Sequence, residues 1–158
     1  MQLPLQRMLT GRNPFLLDRF LTLGGFADFM LPTVLGGKAH GAIMGLGNVY
    51  PHALANLYYG SADLLNERSE ASLAEMTRLQ GLASEADWAF VAGGIAGTKW
   101  YLQRTRGYGG SCRLPILPFP EERGEALMVD KRVNQFMEVE KKLEASKGSK
   151  VNGTSNGH

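Results

Sequence analysis

The sequence predicts an α/β fold, a short parallel sheet with helical cover that leads into a helical region. Three observations carry this. Residues 19–66 read as strand, helix, strand, helix with connections of a few residues, the order of a parallel α/β sheet. The second apolar run, Gly41 to Leu46 (GAIMGL), lacks period-two alternation, as a strand covered on both faces does. From Ser69 onward the texture becomes helical.

Residues 1–18 form an uncertain lead-in. Arg7, Arg12 and Arg19, with Asp18 the one acid up to Phe20, loosely suit a mitochondrial presequence. Pro4 and Pro14 interrupt any long amphipathic helix, which favours ordinary coil and strand. Arg19 to Gly24 (RFLTLG) reads as a strand. Phe26 to Leu35 has helical spacing with Pro32 as a blemish, and Gly36 and Gly37 end it. After the second strand, Asn48 is placed to cap a helix that begins near Pro51, since proline suits a first turn.

Residues 67–143 are the helical region. Leu73, Met76, Leu79, Leu82, Ala86 and Phe90 make an apolar stripe, with Ser69 and Ser72 competing as its cap and Glu75 able to complete a capping box with Ser72. Gly93 and Gly94 break that helix, and another is expected from Ile95 to Arg104. GYGGSCRLPILPFP is a loop, and Glu121–Met128 and Lys131–Leu143 are two short helices. The Ser/Gly/Asn-rich stretch 144–158 is expected to be a disordered tail.

Composition bounds the function. The chain has 158 residues, 44% hydrophobic and 20% charged, which excludes collagen and wholesale disorder. Lys+Arg is 17 against 15 Asp+Glu, with the signs mixed along the chain, so no nucleic-acid partner is expected. The basic and aromatic interleaving in TKWYLQRTRGYGG is better read as an amphipathic helix with solvated cations than as a single-strand binder. The lone Cys112 excludes an internal disulfide. No apolar run approaches the roughly 18 residues of a membrane span, so no membrane is expected.

Two strands cannot make a stable parallel sheet alone, and no convincing strand follows Leu46. At this point the motifs are informative. LGGFADFMLPTVLGGKAHGAIMGLGNVYP (23–51) resembles the last two strand–helix units of the dihydrodipicolinate synthase/N-acetylneuraminate lyase family of class I aldolases. GIAGTKWYLQRTRGYGGSCRLPILP (94–118) is similar to the C-terminal helical region of the branch that holds 4-hydroxy-2-oxoglutarate aldolase and fungal deoxy-hexulosonate aldolases. The resemblance covers roughly residues 13 to 143. It implies a partial TIM (β/α)8 barrel whose two strands correspond to the seventh and eighth.

The resemblance also implies which residues matter. Gly25 matches a glycine beside the substrate pocket. Ile43 matches a strand-eight residue whose backbone carbonyl faces a bound keto acid. Asn48 matches an asparagine better read as a helix cap than as a catalyst. The family's Schiff-base lysine, tyrosine relay and carboxylate-gripping loop lie on the earlier strands and have no counterpart here, so no catalytic residue is assigned. The chain is expected to be a truncated aldolase-family (lyase) fragment, inactive alone. The alternative is a subunit or binding module that pairs with another chain to complete or regulate a barrel, as a homo- or hetero-oligomer.

The remaining chemistry-bearing residues have ordinary readings. Lys99 is expected to snorkel along an apolar helix. Lys38, in a GGK that is no P-loop, is a solvated loop residue. His40 and His52 lack Cys or carboxylate at ligand spacing and His158 lies on the tail, so no metal site is expected. Asp28 and Asp63 read as a helix-start acid and a helix-surface acid. No cofactor is expected, the substrate class of full-length relatives being a pyruvate-like 2-keto acid. The expected compartment is cytoplasmic, with mitochondrial as the alternative.

Overall fold

The computed structural model of the protein describes residues 21–37 and 39–151, with side chains up to residue 146. The lead-in 1–18, Lys38 and His158 lie outside the described residues. The order is β1 (Leu23–Gly25), α1 (Met30–Gly37), β2 (Gly41–Ile43), a 3-10 turn (Gly45–Asn48), α2 (Pro51–Asp63), α3 (Glu70–Val91), α4 (Gly94–Arg106), α5 (Glu121–Val129) and α6 (Lys131–Val151). The described chain is mostly helical, with a small parallel sheet.

β1 and β2 pair in parallel with Leu23 opposite Gly41, Gly24 opposite Ala42 and Gly25 opposite Ile43. Pairing continues below the strands, where the His40 amide donates to the Thr22 carbonyl at 2.9 Å. The second strand is shorter than the expected Gly41–Leu46. It ends at Ile43, which is exposed, while Leu46 is buried inside the 3-10 turn. The expected cover on both faces is therefore not found for β2 among the described residues. The chain turns instead through a short 3-10 helix at Gly45–Asn48.

The core lies between α2, α3 and α6. Tyr50, Leu57, Leu79, Val133 and Phe136 are fully or almost fully buried. The Tyr50 ring packs 4.9 Å from Phe136 and 6.3 Å from Phe90, and Phe90 packs edge-on to Tyr101 at 5.1 Å. Burial pushes the Tyr50 phenol far above its ordinary value, and its hydroxyl donates to the Val133 carbonyl at 3.0 Å.

Several boundaries differ from expectation for local reasons. α1 starts at Met30, four residues later than expected, so Pro32 falls in its first turn, where a missing N–H costs nothing. Ser69 wins the competition to cap α3, its Oγ accepting the Ser72 amide at 3.1 Å. Glu75 forms no capping box and pairs instead with Arg78 at 2.8 Å. Helix α6 continues to Val151, through the first half of the expected tail, and Glu144 on this extension meets Arg106 at 3.5 Å. Gly107 ends α4 in the left-handed conformation at φ 72°.

Candidate functional site

Gly25 and Ile43 are register partners at the carboxyl ends of the two parallel strands. In parallel α/β sheets that is the end where ligands bind. Nothing packs within 4 Å of where a Gly25 side chain would begin, and the Ile43 side chain is 73% exposed. A cleft of about 440 Å³ opens just beyond them, one residue past Gly25 and two past Ile43. Phe26, Leu46, Phe90, Val91, Ile95 and Lys99 are among its walls.

Helix α3 fixes the turn that leaves β1. Asp87 Oδ2 accepts the Ala27 amide at 2.9 Å, and Gln80 Oε1 accepts the Leu31 amide at 2.7 Å. Gln80 Nε2 donates to the Ala27 carbonyl at 2.8 Å, and Ser84 Oγ donates to the Asp28 carbonyl at 2.9 Å. Each bond satisfies a backbone group that the turn would otherwise leave unpaired. The turn so held carries Phe26 at φ 64°, a conformation that a bulky side chain rarely adopts. Phe26 is nonetheless 60% exposed, so its strain is met by this backbone clamp rather than by burial of its ring.

Asp28 joins Asp87 on this side of the site. Both line a smaller hollow of about 150 Å³ with Phe26, Trp88 and Val91. Burial raises the Asp87 carboxyl above its ordinary value, the Ala27 amide opposes that, and the Asp28 charge adds to the rise. Asp28 Oδ1 is buried with no hydrogen-bond partner.

Sequence reasoning brought Gly25 and Ile43 forward and missed Asp87, Gln80, Ser84 and Phe26. Gln80, Ser84 and Asp87 follow helical spacing on the buried side of α3, next to Leu79, Ala83 and Ala86. Polar residues set within an apolar stripe were the available signal. Lys99 borders the cleft, and its amine donates to the Ser111 carbonyl, tying α4 to the following loop.

Asn48 does not cap α2. Its Nδ2 donates to Gly45 O at 3.0 Å within the 3-10 turn, three residues short of the helix start. The cap comes from α6, where the fully buried Glu140 accepts the His52 amide at 3.1 Å, the Ala53 amide at 2.7 Å and meets His52 Nδ1 at 2.8 Å. His40 Nδ1 accepts the Thr22 amide at 3.2 Å. Among the described residues no group of three His, Cys, Asp or Glu side chains is placed to hold a metal ion. None of their helices is long and apolar enough to cross a membrane. Asp63 ends α2 as an exposed acid, and Cys112 is a half-buried free thiol.

The fold and the paired strand ends define an α/β chain with an open cleft at the carboxyl end of its sheet. Comparison with known proteins places it further. No family model matches the chain. It is 32% identical over 126 residues to a probable mitochondrial 4-hydroxy-2-oxoglutarate aldolase of Emericella nidulans, covering 80% of this chain and 38% of that protein. It is 32% identical over 140 residues to an L-threo-3-deoxy-hexylosonate aldolase of Aspergillus niger, covering 89% and 39%. The same identity over 124 residues, covering 78% and 36%, relates it to an L-threo-3-deoxy-hexylosonate aldolase of Hypocrea jecorina. These curated relatives are aldolases of the dihydrodipicolinate synthase/N-acetylneuraminate lyase family, and the similarity covers their carboxy-terminal part. The chain spans less than two-fifths of the length of these curated relatives.

Proposed function

We propose that this chain is an aldolase-family (lyase) polypeptide that supplies the last two strand–helix units and the helical region of a TIM barrel, and that it has no catalysis of its own. The observation that carries this reading is the pairing of Gly25 with Ile43 at the carboxyl strand ends, with a cleft opening directly beyond.

The chemistry explains why that pairing is insufficient. A class I aldolase joins a lysine amine to a keto acid as an imine, which accepts the electron pair released when the carbon–carbon bond breaks. The lysine must be partly neutral, a proton relay must reach the reacting oxygens, and a carboxylate clamp must hold the substrate. The Lys99 amine is engaged by the Ser111 carbonyl on the loop after α4. In this reading Gly25 leaves room for substrate, and the Ile43 backbone lines the same space. The substrate class is a pyruvate-yielding 2-keto acid, and Schiff-base chemistry requires neither a metal nor an organic cofactor. The compartment would be the cytoplasm or, as the name of the Emericella relative suggests, the mitochondrion.

The test is imine trapping. The purified chain is incubated with pyruvate and sodium borohydride, and the intact mass is measured. No adduct is expected. A stoichiometric adduct on one lysine would overturn the reading.

A further inference from the structure

We propose that the cleft of about 440 Å³ beyond the strand ends receives an organic acid with an apolar body, an arylalkyl carboxylate, and that its carboxylate meets the Lys99 amine. The inference rests on the proposed function, which treats this cleft as substrate space, and adds to it the class of acid that the walls accept.

Small-molecule sites are clefts of roughly 300–1,000 Å³ with mostly apolar walls and a few polar groups that orient the ligand. Here the walls include Phe26, Leu46, Phe90, Val91, Ile95 and Leu102. Ile95 is 63% exposed, and Phe26 and Val91 are exposed beside it on the same cleft, so apolar area stays in contact with water. A ligand that covers this area gains free energy in proportion to the surface removed from water. A chain of hydroxyls finds less. Asn48 Nδ2 donates to the Gly45 carbonyl and Thr98 Oγ1 to the Gly94 carbonyl, so both of these polar side chains spend a donor within their own turn. A polyhydroxylated acid would exchange its water for largely apolar walls.

Charge sets the orientation. Lys99 is half-buried, and its amine donates to the neutral Ser111 carbonyl. An ammonium carries three donors, so two remain for a ligand. Among the described residues no Asp or Glu forms an ion pair with Lys99. Asp87 is the other charged side chain on the wall. It stands where the cleft meets the smaller hollow, which Lys99 does not line, and its Oδ2 already accepts the Ala27 amide. Positive charge therefore lies on the α4 side of the cleft and the acid on the side of the turn after β1, and an anion is drawn to α4.

The purified full chain, labelled with nitrogen-15, is titrated with 3-phenylpropionate and its amide shifts are followed by NMR. This probe has no keto group and forms no imine, so its binding is read apart from borohydride trapping. Saturable binding with a Kd of about 1 mM is expected, with shifts at the amides of Leu46, Ile95 and Lys99. 3-Phenylpropanol lacks the charge, 2-phenylethylamine reverses it, and gluconate replaces the apolar body with hydroxyls; each should bind at least about 10-fold more weakly. Lys99→Met should erase the preference for the acid over the alcohol, and Lys99→Arg should restore it. A lysine that only braces the loop would instead lower both affinities together. Ile95→Asp should weaken the acid by about 10-fold or more, whereas Val129→Asp, at an exposed position on α5, should leave it unchanged. Circular dichroism on each variant checks that its helices persist. No saturation at tens of millimolar, gluconate or the amine binding as tightly as the acid, or an acid preference that survives Lys99→Met would overturn the proposal. Such a failure would leave the reading of the chain as catalytically inert standing. A trapped pyruvate adduct would sink that reading and leave the place of the acid in the cleft intact.

Discussion

Asp87 shows how one side chain can hold a site together at some cost. Its carboxyl anchors the turn after β1 through the Ala27 amide. Burial nevertheless lifts its pKa, and the nearby Asp28 charge reinforces the lift. A raised folded pKa means that folding favours the protonated acid. The stability it supports is complete below the ordinary value of 3.8 and declines as pH climbs through the raised folded value. Asp87→Asn keeps an oxygen for the Ala27 amide and removes the charge. At pH 7 the variant should equal or exceed the parent by about 1 kcal/mol, and the gap should close near pH 3. Urea midpoints at several pH values would show this; a variant markedly less stable at pH 7 would contradict the account.

At the scale of elements, α4 and α5 cross so closely that Gly124 lies against the Trp100 indole, with no room for a methyl group. The indole is pinned by its N–H donating to Glu121 at 2.9 Å and by the Arg104 guanidinium over its ring at 5.0 Å. Gly124→Ala should therefore cost about 2 kcal/mol, whereas Gly60→Ala, facing only the flexible end of Met76, should cost under about 1 kcal/mol. Thermal unfolding of the two variants gives the comparison, and equal losses would refute it. The helices of this region were legible because the stripe from Leu73 to Phe90 and the breaks at Gly93 and Gly94 are local signals. Their caps were less legible. Ser69 and Ser72 were equivalent on paper, and Asn48 looked like a cap because the intervening 3-10 turn leaves no distinct pattern. The site divided in the same way. Gly25 and Ile43 came forward on a motif resemblance, while Gln80, Ser84 and Asp87 act on backbone groups roughly 50 or 60 residues away, which no local window contains.

For the molecule as a whole, the bond network of Glu140 matters most. It joins the last helix to the first turn of α2 across 88 positions of sequence. The carboxylate is fully buried and holds both backbone amides and an imidazole nitrogen of its partners. Glu140→Leu strips all of these acceptors from the first turn of α2 and should cost about 3 kcal/mol. Glu140→Gln retains an acceptor and should cost about 1 kcal/mol. Chemical denaturation followed at 222 nm reads both values, and a neutral leucine variant would show that the cap is dispensable.

That long-range cap also sets an order of events during synthesis. The ribosome has released β1, β2 and α2 well before residue 140 emerges, so the amides of His52 and Ala53 wait for an acceptor until α6 has been made. A nascent chain arrested before α6 would carry β1, β2 and α2 without the fastening that secures them, and such chains would be early targets for proteolysis.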